Sequence, residues 1–582
     1  MPIYGNERLA MIEVEQLLNK NLPTLNNHQL LHKSALWVLR GLLCEREIKR
    51  FAEAYPNLHG IEFIEHVLDF FKFSFTARDS ELDNIPTEGR LIIVANHPIG
   101  SLDGLALLKL VSGVRSDVKI LANDLLQAIE PLHELLIPVP VFKTRGNAVR
   151  SEPLKRLYKH LEGEGALIVF PAGEVSRLRP QGVRDHHWHT GFLKMALRAQ
   201  APVLPIHVKA HNSAWFYGAS MLYKPLATLL LVQEMFRQQR GHIDFRIGEL
   251  VPLKSFNVEQ LTLAQRAKMF RRHVYRLGQN KSGILKTQRP IARAESRQAL
   301  KKAVEDCERL GSTQDGKHIY LYRYDGNSPI LREIGRLREI AFRAVEEGTG
   351  RRRDLDNYDT WYTQLILWDA EDLEIAGAYR LGDAQQIVAE RGLAGLYSHS
   401  LFAYHPQRMQ DFVTQGLELG RSFVQPKYWG KRSLDYLWQG IGALLQQHPQ
   451  YRYLFGPVTM SASLPSVAQD ALVQFFGDHF PDPDQLAQAR TPFMPNSRPL
   501  PDISDDYADD LVHLKHFLAH QGAAIPTLYK QYADLCDKGG VRFLGFNVDA
   551  DFANAVDGLV MVDIQRLKAQ KRKRYLGNEL AE

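Results

Sequence analysis

Between Gly89 and Val208 four short apolar runs, LIIVA, VKILA, ALIVF and VLPIHV, alternate with longer stretches such as Ser151–Glu162 and Gly191–Gln200 whose apolar positions recur at helical spacing. Short apolar runs bounded by turn residues suit strands covered on both faces, and the stretches between them supply the covering helices. The pattern predicts an α/β domain over residues 60–280. From 281 to 317 the chain turns charged and poor in large apolar residues, ending in a Gly/Ser/Thr cluster, and is expected to be a linker. Alternation then restarts with IYLYR, LILWD, EIAGAYR, LELGRSFV and YRYLFGPV, with helical patterns at Ile330–Glu347 and Ser433–Gln446 and a hairpin turn at Asp369–Asp372. A second α/β domain over 318–582 is expected. Ahead of both, residues 1–59 carry the amphipathic stretch Leu30–Phe51 with a basic flank. It suits a helix lying on a membrane surface and equally one packed on its own domain.

Composition narrows this picture without changing it. A chain of 582 residues exceeds one ordinary core, and two domains are the economical count. With 45% hydrophobic and 24% charged residues it is a folded globular protein, which excludes wholesale disorder and collagen-like polymers. Cys44, Cys307 and Cys536 are far apart with no Cys-x-x-Cys spacing, so neither a disulfide framework nor a cysteine zinc site is expected, and a reducing cytoplasm fits. The net charge of +6 is compatible with an anionic bilayer or an acidic partner and does not call for nucleic acid. Met1–Leu18 contains Glu13 and Glu15 and does not read as a signal peptide. The greasiest stretches, Leu91–Ala95 and Leu226–Val232, are too short to span a bilayer.

The strongest chemical signal is LIIVANHPIGSLDGLALL. A buried strand delivers His97 to a turn with Pro98 and Gly100, and Asp103 follows at the next helix start. A carboxylate brought to one imidazole nitrogen fixes the tautomer and leaves the other nitrogen free to take a proton from an acceptor hydroxyl. By itself such a pair is usually structural. Downstream, VFKTRGN presents Arg145 and Gly146, IVFPAGEVSR presents Gly173, Glu174 and Arg177, and APVLPIHV supplies Pro202 and Pro205.

In order and spacing these four blocks resemble the glycerolipid acyltransferases of the lysophosphatidate acyltransferase type, over about Gly60–Arg276. The resemblance implies that His97 and Asp103 are the catalytic pair, that Arg145, Gly146, Gly173, Glu174 and Arg177 hold the acceptor's anionic group, and that the acceptor oxygen attacks an acyl thioester directly. It implies no metal and no permanently bound cofactor. Two departures stand out. Five residues separate His97 from Asp103, one more than the family usually has, and the third block reads Ala-Gly-Glu-Val-Ser-Arg. The stretch His97–Gly104 is also similar to a branch labelled haemolysins, so the acceptor need not be lysophosphatidate. Either arginine suits a carboxylate as well as a phosphate, and each is equally readable as a surface ion pair.

In the second domain, LELGRSFVQPKYWGKRSLDYLWQGIGALL reads as strand, loop and helix. Gly430, Lys431 and Arg432 at the helix start can take a phosphate through backbone N–H groups and cationic side chains, or can be a plain basic turn. This resembles the GNAT fold, where acyl-thioester carriers dock beside such a loop. With REIGRLREIAFRAVEEGTGRRRDLDNYD, GPVTMSASLP and VDADFANAVDGLVMVDIQRL, the stretch from Ile319 to Tyr575 is similar to N-acyl amino-acid synthases that acylate ornithine. That resemblance implies a cleft lined by Asp354, Asp356, Asp359, Glu418 and Arg421. Glu418 is expected to accept or relay the proton of the incoming ammonium, the alternative being an ion pair with Arg421. The aspartates would bind a cationic side chain or join an internal charge network with Arg351–Arg353.

The whole chain thus resembles the bifunctional ornithine lipid synthases of bacteria. The resemblance implies an enzyme whose GNAT-like domain N-acylates L-ornithine with a 3-hydroxyacyl group and whose first domain O-acylates the new hydroxyl. The donor would be an acyl carrier protein or acyl-CoA, the lyso-lipid an intermediate, and the location the cytoplasmic face of the inner membrane. Two alternatives stay open: a single-activity lysophospholipid acyltransferase with a carrier-binding second domain, and a non-catalytic membrane-binding protein.

Overall fold

Five consecutive apolar residues, Leu91–Ala95, are wholly inaccessible to solvent and form the centre of a seven-stranded sheet. Their side chains alternate between two cores, as a period of two requires. Leu91, Ile93 and Ala95 pack with Leu107 and Val111 on one face, while Ile92 and Val94 pack with Phe192, Leu193 and Phe270 on the other. In space the strands run Ser74–Ala77, His242–Ile247, Val203–Lys209, Leu91–Ala95, Ala166–Val169, Val118–Asn123 and Leu136–Val139. Pairing is parallel throughout except between Val203–Lys209 and His242–Ile247. At roughly 1.5–3 kcal/mol for each large apolar side chain buried, the central strand is anchored well enough to hold the turn at its C-terminal end in place.

This computed structural model describes residues 44–123, 129–139, 151–180, 182–217, 224–500, 506–552 and 554–577, together with positions 36, 40 and 504. The chain divides between Pro290 and Ile291 into two compact units. Most of the amphipathic stretch Leu30–Phe51 lies outside the described residues. Its end belongs to the helix Glu45–Ala54, where Phe51 is buried against Phe63 and Phe70 with ring centroids 5.7 and 5.3 Å away. Among the described residues no helix is long and apolar enough to cross a membrane.

Of the stretch 281–317, expected as a linker, residues 281–290 belong to the first unit and residues 291–317 to the second. Helix Arg297–Glu305 buries Leu300 and Val304, four residues apart on one face, and strand Glu308–Ser312 forms the edge of the second sheet. The charged residues around that narrow stripe mask it in the sequence. The second sheet has eight strands in the order Glu308–Ser312, His318–Arg323, Thr363–Asp369, Glu374–Asp383, Gly416–Val424, Tyr453–Met460, Ala555–Asp563 and Val541–Asp549. One face packs on helix Ser433–Gln447 through Leu437, Ile441 and Leu444; the other packs on helix Pro329–Ala344 through Ile330, Ile334 and Leu337. Both units are open-sheet α/β structures.

One pairing in this second sheet is parallel, between Gly416–Val424 and Tyr453–Met460, and it holds for three positions only, ending at Glu418 opposite Phe455. Both strands run on beyond it. On the other flank of Gly416–Val424 the register slips, so that Arg421 and Ser422 together oppose Tyr379, and Arg421 adopts φ 46°. The bulge and the lost pairing open a gap between two strands inside an otherwise continuous sheet.

Candidate active sites

In the first unit the central strand ends at Asn96, whose side chain both donates to and accepts from the Val208 backbone at 2.8 Å. That clamp fixes the point from which His97 emerges. Nδ1 of His97 lies 3.1 Å from Oδ1 of Asp103, close enough for strong charge coupling though not aligned as a hydrogen bond. Asp103 is fully buried, and its Oδ2 accepts the backbone N–H groups of Ile99 at 3.0 Å and Gly100 at 3.3 Å. The additional residue between histidine and aspartate is absorbed at Gly100, whose φ of 100° other residues rarely adopt.

The imidazole of His97 stacks on Phe170 with centroids 4.0 Å apart and is 20% exposed; its Nε2 has no hydrogen-bond partner among the described residues. Burial disfavours the imidazolium, but the carboxylates of Asp103 and Asp185 outweigh it and raise the pKa above the ordinary histidine value. A nitrogen open to the surface, backed by a buried carboxylate, is arranged to take a proton from an acceptor hydroxyl.

The third sequence block meets this turn. The Ser176 N–H donates to the His97 carbonyl at 2.7 Å, Gly173 has φ 66°, and Arg177 pairs with Glu174 at 3.2 Å. Arg145 and Gly146 lie outside the described residues. Sequence reasoning missed Asp185, which is fully buried. It accepts the His97 N–H at 3.3 Å, the Ser176 hydroxyl at 2.5 Å and the Trp188 indole N–H at 2.8 Å. Nothing periodic marks it; the only signal is a carboxylate three residues before a tryptophan, in RDHHW.

In the second unit, the expected aspartates come together, and all three are taken by arginines. Arg338, with no exposed surface, donates to Asp359 at 2.8 and 3.1 Å; Arg380 donates to Asp356 at 2.6 Å and to Asp359 at 3.4 Å. Arg421 stands 3.6 Å from Asp354 and 3.5 Å from Asp356. Burial opposes the charge on Asp359, but Arg338 and Arg380 outweigh it and hold the carboxyl well below its usual range. An internal charge network therefore exists, but with arginines of the helix Pro329–Ala344 and of two strands. Of the Arg351–Arg353 run, Arg353 turns away to Glu295 at 3.2 Å.

Glu418 is 1% exposed and not an ion-pair partner of Arg421. Its carboxylate accepts the Ser398 N–H at 2.7 Å, the Tyr397 N–H at 3.2 Å and the Tyr362 hydroxyl. Burial pushes its pKa up, against the pull of those donors. Gly430 turns the chain with φ 74° ahead of helix Ser433–Gln447, whose first turn has no side-chain cap. Lys431 lies over the Tyr428 ring at 5.2 Å, and Arg432 donates to Gln314 at 3.0 Å. Lys431 and Arg432 are exposed ahead of this helix start, an arrangement suited to an anionic carrier group.

Comparison with known proteins places two acyltransferase families along the chain. Residues 16–282 match the acyltransferase family and residues 337–439 the acetyltransferase (GNAT) domain family. A glycine N(alpha)-acyltransferase of Phocaeicola vulgatus is 32% identical over 301 residues, 48% of this chain and 90% of that protein. A lyso-glycine lipid O-acyltransferase of Bacteroides thetaiotaomicron is 29% identical over 280 residues, 47% of this chain and 99% of that protein. An L-ornithine N(alpha)-acyltransferase of Brucella abortus is 30% identical over 174 residues, 25% of this chain and 60% of that protein.

Proposed function

This chain belongs to the acyltransferases, joining an acyltransferase domain to a GNAT domain, and from that premise we propose that it builds a two-chain aminolipid in consecutive steps. The second unit transfers a 3-hydroxyacyl group from a carrier thioester to the α-amine of an amino acid. The first then acylates the new hydroxyl. The observation that carries this reading is that one chain holds two compact units, one matching the acyltransferase family and the other containing the GNAT match. Tethering keeps a poorly soluble intermediate at high local concentration near its second site.

In the O-acylation step the lipid hydroxyl gives its proton to Nε2 of His97 as its oxygen attacks the thioester carbonyl, and the carrier leaves as a thiol. Asp103 orients the ring and stabilises the imidazolium. Glu174 and Arg177, with Arg145 and Gly146, are assigned to the acceptor's anionic head. In the N-acylation step the carrier lies where the two strands part, its phosphate at Gly430–Arg432, and Arg421 serves the amino acid's carboxylate. Glu418 is a positioning residue here: with both oxygens taken by donors, it fixes Tyr362 and the Tyr397–Ser398 turn beside the cleft. The donor is an acyl carrier protein or acyl-CoA, and the enzyme works at the cytoplasmic face of the inner membrane, where its product belongs.

The amino acid in this reading is L-ornithine. Glycine is a second reading favoured by one observation: Asp354, Asp356 and Asp359 are engaged by arginines, which leaves none of them for a side-chain ammonium. Lipid extracts from a host that lacks aminolipids, fed labelled ornithine or labelled glycine, test the proposal by mass spectrometry. Label in a diacyl lipid is expected from one of the two; unlabelled lipid with altered phospholipid acyl chains would instead establish a lysophospholipid acyltransferase.

A further inference from the structure

Beyond Glu418 and Phe455, the facing edges of Gly416–Val424 and Tyr453–Met460 have no ladder partner on that side. Backbone groups left open between two strands of one sheet point to an occupant. Stepping by two from Phe455, the residue paired with Glu418, brings Pro457 and Thr459 onto the face that carries Glu418. Thr459 is paired in turn with Asp557 of strand Ala555–Asp563.

Asp557 is 3% exposed. The Thr459 hydroxyl donates to its Oδ1 at 2.6 Å, and its Oδ2 accepts no hydrogen bond among the described residues. Arg421 closes the neighbourhood, its guanidinium 5.1 Å from the Tyr397 ring and 5.2 Å from the ring of Phe552, which lies in the connection leading into strand Ala555–Asp563. The titratable groups acting on this place are Asp549 of strand Val541–Asp549, Glu347 after helix Pro329–Ala344, Arg421, Tyr397 and Tyr529. Burial, with Asp549 adding to it and Thr459 and Arg421 opposing, holds the Asp557 carboxyl up at about 7. Glu347 is likewise pushed to about 7 by burial and by Asp557.

A carboxylate in a buried strand, with one hydrogen bond and two further acids for neighbours, is costly unless a cation joins it. Both oxygens of Glu418 already accept hydrogen bonds, three in all, whereas one oxygen of Asp557 accepts none among the described residues. Resting on the N-acylation reading above, we propose that Asp557 holds the ammonium group of the acceptor amino acid where the two strands part and takes its proton. The neutral amine then attacks the thioester carbonyl. The N–C bond forms, the C–S bond breaks, and the second proton lost by nitrogen goes to the leaving sulfur, so the products are an amide, a thiol and one proton that Asp557 returns to solvent. The assignment is the same for ornithine and for glycine, because it concerns the α-amine.

The test uses the full chain, with 3-hydroxyacyl-CoA and 3-hydroxyacyl carrier protein as donors and labelled glycine and ornithine as acceptors. Thermal denaturation of each variant is measured in parallel as a check on folding of the second unit, and O-acylation of a supplied lyso-lipid as a check on the first. Asp557→Asn is expected to lower kcat/KM for N-acylation about 100-fold or more and to abolish the wild-type rise of that rate with pH near neutrality, while O-acylation stays at the wild-type level. Thr459→Val removes the bond that favours the charged carboxylate, so the same rise should move to higher pH. N-acylation by Asp557→Asn within threefold of wild type, or a pH midpoint untouched by Thr459→Val, overturns the proposal alone. Wild-type protein that O-acylates but N-acylates neither amino acid overturns the parent reading, and Asp557 with it.

Discussion

At the scale of single residues the account turns on the charge of His97. Only the neutral imidazole can take the hydroxyl proton, and the folded protein raises its pKa above the ordinary 6.5. The O-acylation rate should therefore rise with pH through a midpoint above 6.5. In Asp103→Asn the carboxylate that raises the value is gone while burial remains, so the midpoint should drop as the rate falls about 100-fold or more. A pH series of kcat/KM on both proteins checks the pair of effects together. Asp185 belongs to this scale as a strut: Asp185→Ala leaves Ser176 Oγ, Trp188 Nε1 and the His97 N–H without their acceptor, at about 1–3 kcal/mol for each group that stays buried and unpaired. Thermal denaturation of the variant should show the loss directly. His97 and Asp103 were legible in the sequence because a strand, a glycine turn and a helix start bracket them within a few residues. Asp185 was not, since it reaches the site from a separate segment through folding alone. Asp557 did leave a trace, a carboxylate within the apolar run AVDGLVMV, where every neighbour is buried.

Elements carry the next level, and here glycine and arginine decide. Where Gly456 passes the backbone of Leu419, an added Cβ would collide with the Leu419 carbonyl oxygen, which is fixed in the sheet. Gly456→Ala should force the two parallel strands apart at their last paired positions, costing about 1–3 kcal/mol. N-acylation should suffer far more than O-acylation. Arg338 tests the charge network: Arg338→Met leaves Asp359 buried with one of its two arginines, for a loss of about 3–5 kcal/mol seen in denaturant unfolding of the second unit. The alternation of apolar runs made both sheets readable, as did the hairpin around Asp369–Asp372, now seen between Thr363–Asp369 and Glu374–Asp383. The helix Arg297–Glu305 escaped because only Leu300 and Val304 mark its buried face. The arginines that occupy the aspartates escaped for another reason: Arg338 and Arg380 lie within a helix and a strand whose polar positions ordinarily face water, and only packing shows that these two do not.

At the scale of the molecule, two units of different families are proposed to serve one product, each contributing one acyl chain. If, as proposed, a lyso-lipid made by one unit is the substrate of the other, blocking the second step should strand the intermediate rather than stop synthesis. The decisive measurement is the lipid profile of a host without aminolipids expressing wild type or His97→Ala, with labelled amino acid. The account predicts labelled diacyl lipid from the wild type and accumulation of the labelled monoacyl form from His97→Ala. Equal amounts of labelled diacyl lipid from both proteins would contradict it, because the second chain would then be attached without His97.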